Sequence, residues 1–196
     1  MRPTALAFVR RNRQWLTVAL FLVVLLAAFQ WLGLRGQISV DFVQQQIRSH
    51  QAGGLVIFAL LFSLGNLIQS PGWLFLAAAV LTLGRVNGGL ATYVAAMTSC
   101  IITFVVIRFI GGDAVRRLDS TLAQRILRRF DAQPLVSVTL LRTVFQTLPA
   151  LNYVLAMSGV RFRDYIAGSA IGLVVPITLY CLFFDFLARL AGWPTT

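Results

Sequence analysis

Hydrophobic positions along this chain fall into long blocks without charge, not into short alternating stripes. The first block, 15–34, runs 20 residues without a charge, enough to cross a hydrocarbon core of about 30 Å. It follows a basic stretch carrying Arg2, Arg10, Arg11 and Arg13, and its apolar core is too long for a cleaved signal, so it reads as an uncleaved first span. Residues 90–110 and 165–188 form two further clear spans. Two other blocks are interrupted. Residues 53–83 carry no charge but are broken by Ser63, Gly65, Asn66, Gln69, Ser70, Pro71 and Gly72. Residues 134–159 are broken by Arg142, Gln146, Pro149 and Asn152. Each break leaves arms of about 12–15 residues, or roughly 18–23 Å of helix. Such arms are too short to cross but long enough to reach mid-membrane, where irregular backbone must be buried in protein or face water.

The connectors complete the pattern. Residues 35–51 are polar, with a partial helical stripe of Ile38, Phe42, Val43 and Ile47 that predicts a helix on the membrane surface. Residues 84–89 read as a short turn, and 160–164 as a charged one. Between them, 112–133 predicts an amphipathic helix. Leu118, Leu122, Ile126 and Phe130 recur at every fourth position, opposite Arg116, Arg117, Arg125, Arg128 and Arg129.

Arginine placement then sets the topology. If 53–83 crossed once, the five arginines of the amphipathic helix would lie outside, against the positive-inside rule. If 53–83 enters and returns, that helix is cytoplasmic, and 134–159 becomes a hairpin opening inward. Twelve arginines then lie inside, Arg35, Arg48, Arg85 and Arg189 outside, and Arg142 in the membrane. The expected fold is all-α and integral to the membrane: three full spans plus two oppositely oriented re-entrant helical hairpins forming an inverted repeat. Its parts are an N-terminal region 1–52, a membrane domain 53–188 and a tail 189–196. Paired interrupted helices in inverted repeats are a transporter signature, with the site near the midplane.

Composition narrows the chemistry. All 17 basic residues are arginine, six aspartates are the only acids, and the formal net charge is +11. Arginine suits phosphate bidentately, although genomic codon bias produces the same usage. The arginines flank membrane segments, which argues against nucleic acid. Cys100 and Cys181 form no CxxC pair, and His50 is the single histidine. No metal or cofactor is expected. Hydrolase and P-loop motifs are absent, so the chain is not read as an enzyme.

Arg142 is the first candidate site residue, because an intramembrane charge costs roughly 2.5–3.5 kcal/mol on insertion scales and usually marks a polar pathway. Binding an anion is one role; bonding carbonyls at the hairpin tip is the other. Gln146, Asn152 and Tyr153 would join it from the same hairpin, and Asn66 and Gln69 from the other. Arg108 is either a site member or an arginine reaching to the cytoplasmic surface. Pro71, Gly72 and Pro149 serve as the structural breaks. Asp185 and Arg189 predict an interfacial ion pair, and Gly168 with Gly172 a close helix contact.

At these residues the chain resembles the DedA-like superfamily, also called VTT-domain or SNARE-associated Golgi proteins. The resemblance runs over 53–188. It is carried by Ser70, Pro71, Gly72, Trp73, Leu74 and Phe75 leading to Gly84 and Gly88, by Arg108 to Gly111, and by Leu141, Arg142, Pro149, Asn152, Tyr153, Val160, Phe162, Asp164, Tyr165, Gly172 and Pro176. It implies two oppositely facing re-entrant hairpins and a role in moving lipids or lipid-linked phosphates between leaflets; some members have been proposed as proton-coupled transporters. Asn66 and Gln69 stand where many DedA members have acids, which weakens proton coupling and places the chain nearer the VTT branch.

The expected function is therefore a membrane transporter or scramblase for lipids or anionic phosphate substrates. An ion-coupled small-solute transporter and a non-transporting membrane scaffold are the alternatives. Expected partners are membrane lipids and an anionic headgroup, and a homo-oligomer is compatible with the sequence. The expected location is a bacterial inner membrane with the N-terminus cytoplasmic.

Overall fold

A computed structural model describes residues 17, 18, 20, 21, 23–25, 27, 40–49, 53–68, 70–112, 127, 128, 130–145, 148 and 150–191. Gln69, Gln146 and Pro149 lie outside the described residues, as do the basic N-terminus, most of the first span, 113–126 and 192–196. The described elements are all helices: α1 (Val40–Ser49), α2 (Gly54–Leu67), α3 (Gly72–Gly111), α4 (Pro134–Phe145), α5 (Ala150–Met157) and α6 (Phe162–Leu190).

α3 is broken at Gly84, whose φ of 78° suits a residue without Cβ. The chain reverses there. Gly88 lies so close that a Cβ on it would sit 2.6 Å from the Ala79 carbonyl oxygen. The turn expected over 84–89 thus contracts to one residue, and the following helix starts at 85 instead of 90. A single left-handed glycine suffices to reverse the chain, and Gly88 is needed inside the returning helix for close approach. Gly159, with φ 81°, makes the equivalent reversal between α5 and α6. The same order therefore occurs twice: helix, break, helix, left-handed glycine, long helix.

Those two long helices run antiparallel. At one end Arg85 lies 3.7 Å from Asp185. Midway the Tyr93 hydroxyl donates to the Ala170 carbonyl at 2.9 Å. At the other end Arg108 Nη2 donates to the Val160 carbonyl at 3.3 Å. Residues 85–111 rise about 40 Å and α6 about 43 Å, and both are apolar enough to cross a bilayer, with mean hydropathy 2.1.

The hairpins insert from opposite ends of this pair. α2 and 72–83 pack through Phe62 and Phe75, ring centroids 5.2 Å apart, with Gly65 leaving room for the Phe75 ring. This first hairpin starts beside Arg85 and reaches Ser99, about 21 Å along α3, where Asn66 bonds it. The second starts beside Val160. Its α4 lies on α6 through two glycines: Gly168 against Val138, and Gly172 against Thr139 and Arg142. The small-residue contact expected from sequence is present.

α1 departs from expectation. Its stripe, Val43 and Ile47, is buried against the protein, and Gly54 fits under the Ile47 carbonyl. A protein face was available to cover the stripe, so the membrane surface was not needed. Of the 112–133 helix, Phe130 is buried and Arg128 exposed, as its period predicts, and Leu127, outside the expected stripe, is buried as well. Elsewhere the exterior is apolar: Phe109, Val144, Val105, Leu179 and Phe186 are exposed, while Ser99, Thr103, Ser169 and Arg142 are buried. Contiguous exposed apolar surface of this kind belongs in lipid.

Candidate substrate site between the hairpin tips

Side chains from both hairpins and both long helices meet in one buried hydrogen-bonded chain. Asn66 Nδ2 donates to Ser99 Oγ at 2.7 Å, and Asn152 Nδ2 donates to Asn66 Oδ1 at 3.0 Å. The Tyr165 hydroxyl has two acceptors in reach of its one proton, the Cys100 carbonyl at 3.3 Å and Asn152 Oδ1 at 3.4 Å. Arg142 Nη2 donates to the Tyr165 oxygen at 2.7 Å, and its Nε to Ser169 Oγ at 3.1 Å. A second tie joins the hairpins, the Tyr153 hydroxyl donating to the Leu67 carbonyl at 2.5 Å. Leu67 is the last residue of α2, so its carbonyl has no partner within the helix.

Local structure explains the positions. Tyr165 and Ser169 are one turn apart on α6 and face α4, where Gly172 lets Arg142 come close. The Arg142 guanidinium lies 5.2 Å from the centroid of the Tyr165 ring. The cation–π attraction amounts to about 2 kcal/mol in a desolvated setting.

Arg142 is 3% exposed. Of its five N–H groups, two are bonded; the other three find no partner among the described residues, and no described carboxylate pairs with it. Hydrogen bonds to a charged group contribute about 1.5–3 kcal/mol each. Against them stands a desolvation penalty of several kcal/mol for the ion. Among the described residues the cation is held but not neutralised. It lines a cavity of about 30 Å³ together with Asn66, Ser70, Gly72, Cys100 and Asn152, which is room for about one water.

Sequence-predicted residues divide cleanly here. Arg142, Asn152 and Asn66 converge on the cavity, with Pro71 and Gly72 at the first break. Tyr153 ties the tips together without lining it. Arg108 lies elsewhere, two turns or about 12 Å beyond Cys100. There Nη1 donates to the Ala156 carbonyl at 2.7 Å, and Nη2 reaches Val160, so the side chain closes the carbonyl end of α5. It bonds protein backbone, which neither expected role anticipated. Among the described residues Arg142 bonds two hydroxyls; tip residues 146, 147 and 149, whose carbonyls the alternative role would use, lie outside the described residues. Ser99, Cys100, Tyr165 and Ser169 were missed as partners. Their signal was present but faint: polar positions within clear spans, Tyr165 and Ser169 four apart.

The VTT domain profile matches residues 70–186, a stretch holding Pro71 and Gly72 of the first break, all of α3, the whole second hairpin and α6 up to its last turn. The chain belongs to the DedA/VTT family. No curated protein and no solved structure matches it. VTT domains are generally those of membrane transporters or scramblases, and this one, with its two long apolar helices, is an integral membrane protein. The Asn66 end of the polar chain lies just ahead of the matched stretch, while Arg142, Asn152, Tyr165 and Ser169 lie inside the VTT domain.

Proposed function

We propose that this VTT protein moves a lipid, or a lipid-linked or anionic phosphate, across the bilayer by passing its anionic head beside Arg142. The observation that carries the reading is a buried cation that has, among the described residues, three donors without a partner and no carboxylate, at the meeting point of two opposed hairpins. A phosphate oxygen pair matches such a fork. In this reading both hairpins are re-entrant, and the chain has three full spans. Arg108, Arg161 and Arg163 face the cytoplasm of a bacterial cell, Arg85 and Arg189 face outward, and the N-terminus is cytoplasmic.

A cavity of about 30 Å³ is too small for a phosphate group, so the tips must part for passage. The bonds that hold them are Asn152 to Asn66 and Tyr153 to Leu67. At about 0.5–1.5 kcal/mol net each, opening costs about 1–3 kcal/mol, which thermal motion supplies. The described polar chain contains asparagine, tyrosine, serine and cysteine around its arginine, with no aspartate or histidine. This favours uncoupled exchange over ion-coupled transport, and the protein acts without catalysing a covalent step.

The test is leaflet exchange in proteoliposomes with and without a pH gradient. Arg142→Ala should slow exchange at least about tenfold, the rate equivalent of ~1.4 kcal/mol, with Arg142→Lys partly active. Wild-type exchange by a correctly inserted Arg142→Ala protein would remove the central claim.

A further inference from the structure

A second cavity lies away from the hairpin tips, on the lipid-facing side where α3 and α6 part near Arg85. Its volume is about 480 Å³. Its walls include Val86, Leu90, Val174 and Leu182, each 50–65% exposed. Gly89 forms a low floor, since a Cβ there would come within 3.0 Å of Cys181 Sγ. Tyr93 closes the deep end. The slot follows residues 86–93 for about 10 Å along the helix axis.

Its shallow end is charged. Arg85 lines the slot, and Arg85 and Arg189 share one oxygen of Asp185, at 3.7 and 3.1 Å. The two guanidinium side chains are 53% and 62% exposed, whereas the carboxylate is 9% exposed. Among the described residues, two cations on one acid leave one positive charge uncompensated. It faces outward at the end of a long apolar segment, the level at which lipid phosphates lie.

We propose that this slot holds one acyl chain of an anionic phospholipid, whose phosphate rests on Arg85 and Arg189. Charge complementarity selects the occupant. A phospholipid brings a negative charge and an apolar chain on one molecule. A second copy of this chain would bring its own uncompensated arginines to the same place. The site is separate from Arg142 and goes beyond the transport reading.

The test uses the full-length protein in phosphatidylcholine nanodiscs with a trace of phosphatidylglycerol carrying a mid-chain photoreactive diazirine. Adducts are mapped by peptide mass spectrometry. Adducts should concentrate in 86–93 and 174–182, and a phosphatidylcholine probe should label these about fivefold less, as expected for an arginine at the membrane surface. Thr178→Trp fills the slot from an exposed position and should abolish these adducts; Val86→Trp is the second filling variant. Arg85→Gln should erase the headgroup preference while chain labelling persists. Arg142→Ala should leave both unchanged, which separates this site from the transport reading. Equal labelling by the two probes, adducts spread evenly over lipid-facing residues, wild-type labelling of both filled variants, or cross-links between copies at the slot would overturn the proposal.

Discussion

Gly172→Ala offers the sharpest test of how Arg142 is placed. A Cβ at Gly172 would lie 2.6 Å from the Thr139 carbonyl oxygen, 2.6 Å from Arg142 Cβ and 3.1 Å from Thr139 Cα. Two of these are backbone atoms, so α4 must move away from α6. Overpacking of this kind costs about 1–3 kcal/mol. Alanine regains up to about 1 kcal/mol of helix propensity, leaving a net loss of about 0–2 kcal/mol. Gly89→Ala is the matched control at the other face of α6, where α3 packs. Its Cβ would meet only Cys181 Sγ, at 3.0 Å, a side-chain atom that can yield, so the propensity gain should dominate. The two variants should differ by about 2 kcal/mol, or roughly 30-fold in the unfolding equilibrium. Equilibrium unfolding in mixed micelles reads this difference, and leaflet exchange should fall only for Gly172→Ala, whose shift carries Arg142 away from Ser169. If Gly172→Ala unfolds at the same denaturant concentration as Gly89→Ala or higher, close packing of α4 on α6 does not hold the arginine.

Two further variants address the ties around the site. Tyr153→Phe removes the bond to the Leu67 carbonyl and should loosen the tips by about 0.5–1.5 kcal/mol; Cys100, 3% exposed, should then react faster with a maleimide, and an unchanged rate would speak against the clasp. Arg108→Ala removes the donors to Ala156 and Val160 and should lower stability by about 3 kcal/mol or more, from two charged hydrogen bonds, with Arg108→Lys recovering part. Loss of exchange without loss of stability would instead return Arg108 to the substrate path.

Much of the helix order was legible because hydropathy carries long-range meaning in a membrane chain. A proline among polar residues inside 53–83 had to mark a break, and the described helices end and restart on either side of it, at Leu67 and Gly72. Arg142 stood out because a charge in an apolar run demands partners. Its partners did not stand out. Tyr165 and Ser169 look like ordinary span residues until α4 is laid against α6, and nothing in the order of residues says which hydroxyl a guanidinium will meet.

Arg108 and Asp185 show the same division. Their positions at the ends of spans were plain from sequence, and the Asp185–Arg189 pair followed from helical spacing. That Asp185 also receives Arg85, and that Arg108 closes the end of α5, depends on two helices running antiparallel at close range. By itself the sequence determined which segments are apolar, where they break and which charge is left inside, because those follow from local transfer free energy and helix length. Only the tertiary structure decided which donors meet which acceptors, because a helix end leaves carbonyls unpaired and the residue that satisfies them comes from whatever packs there.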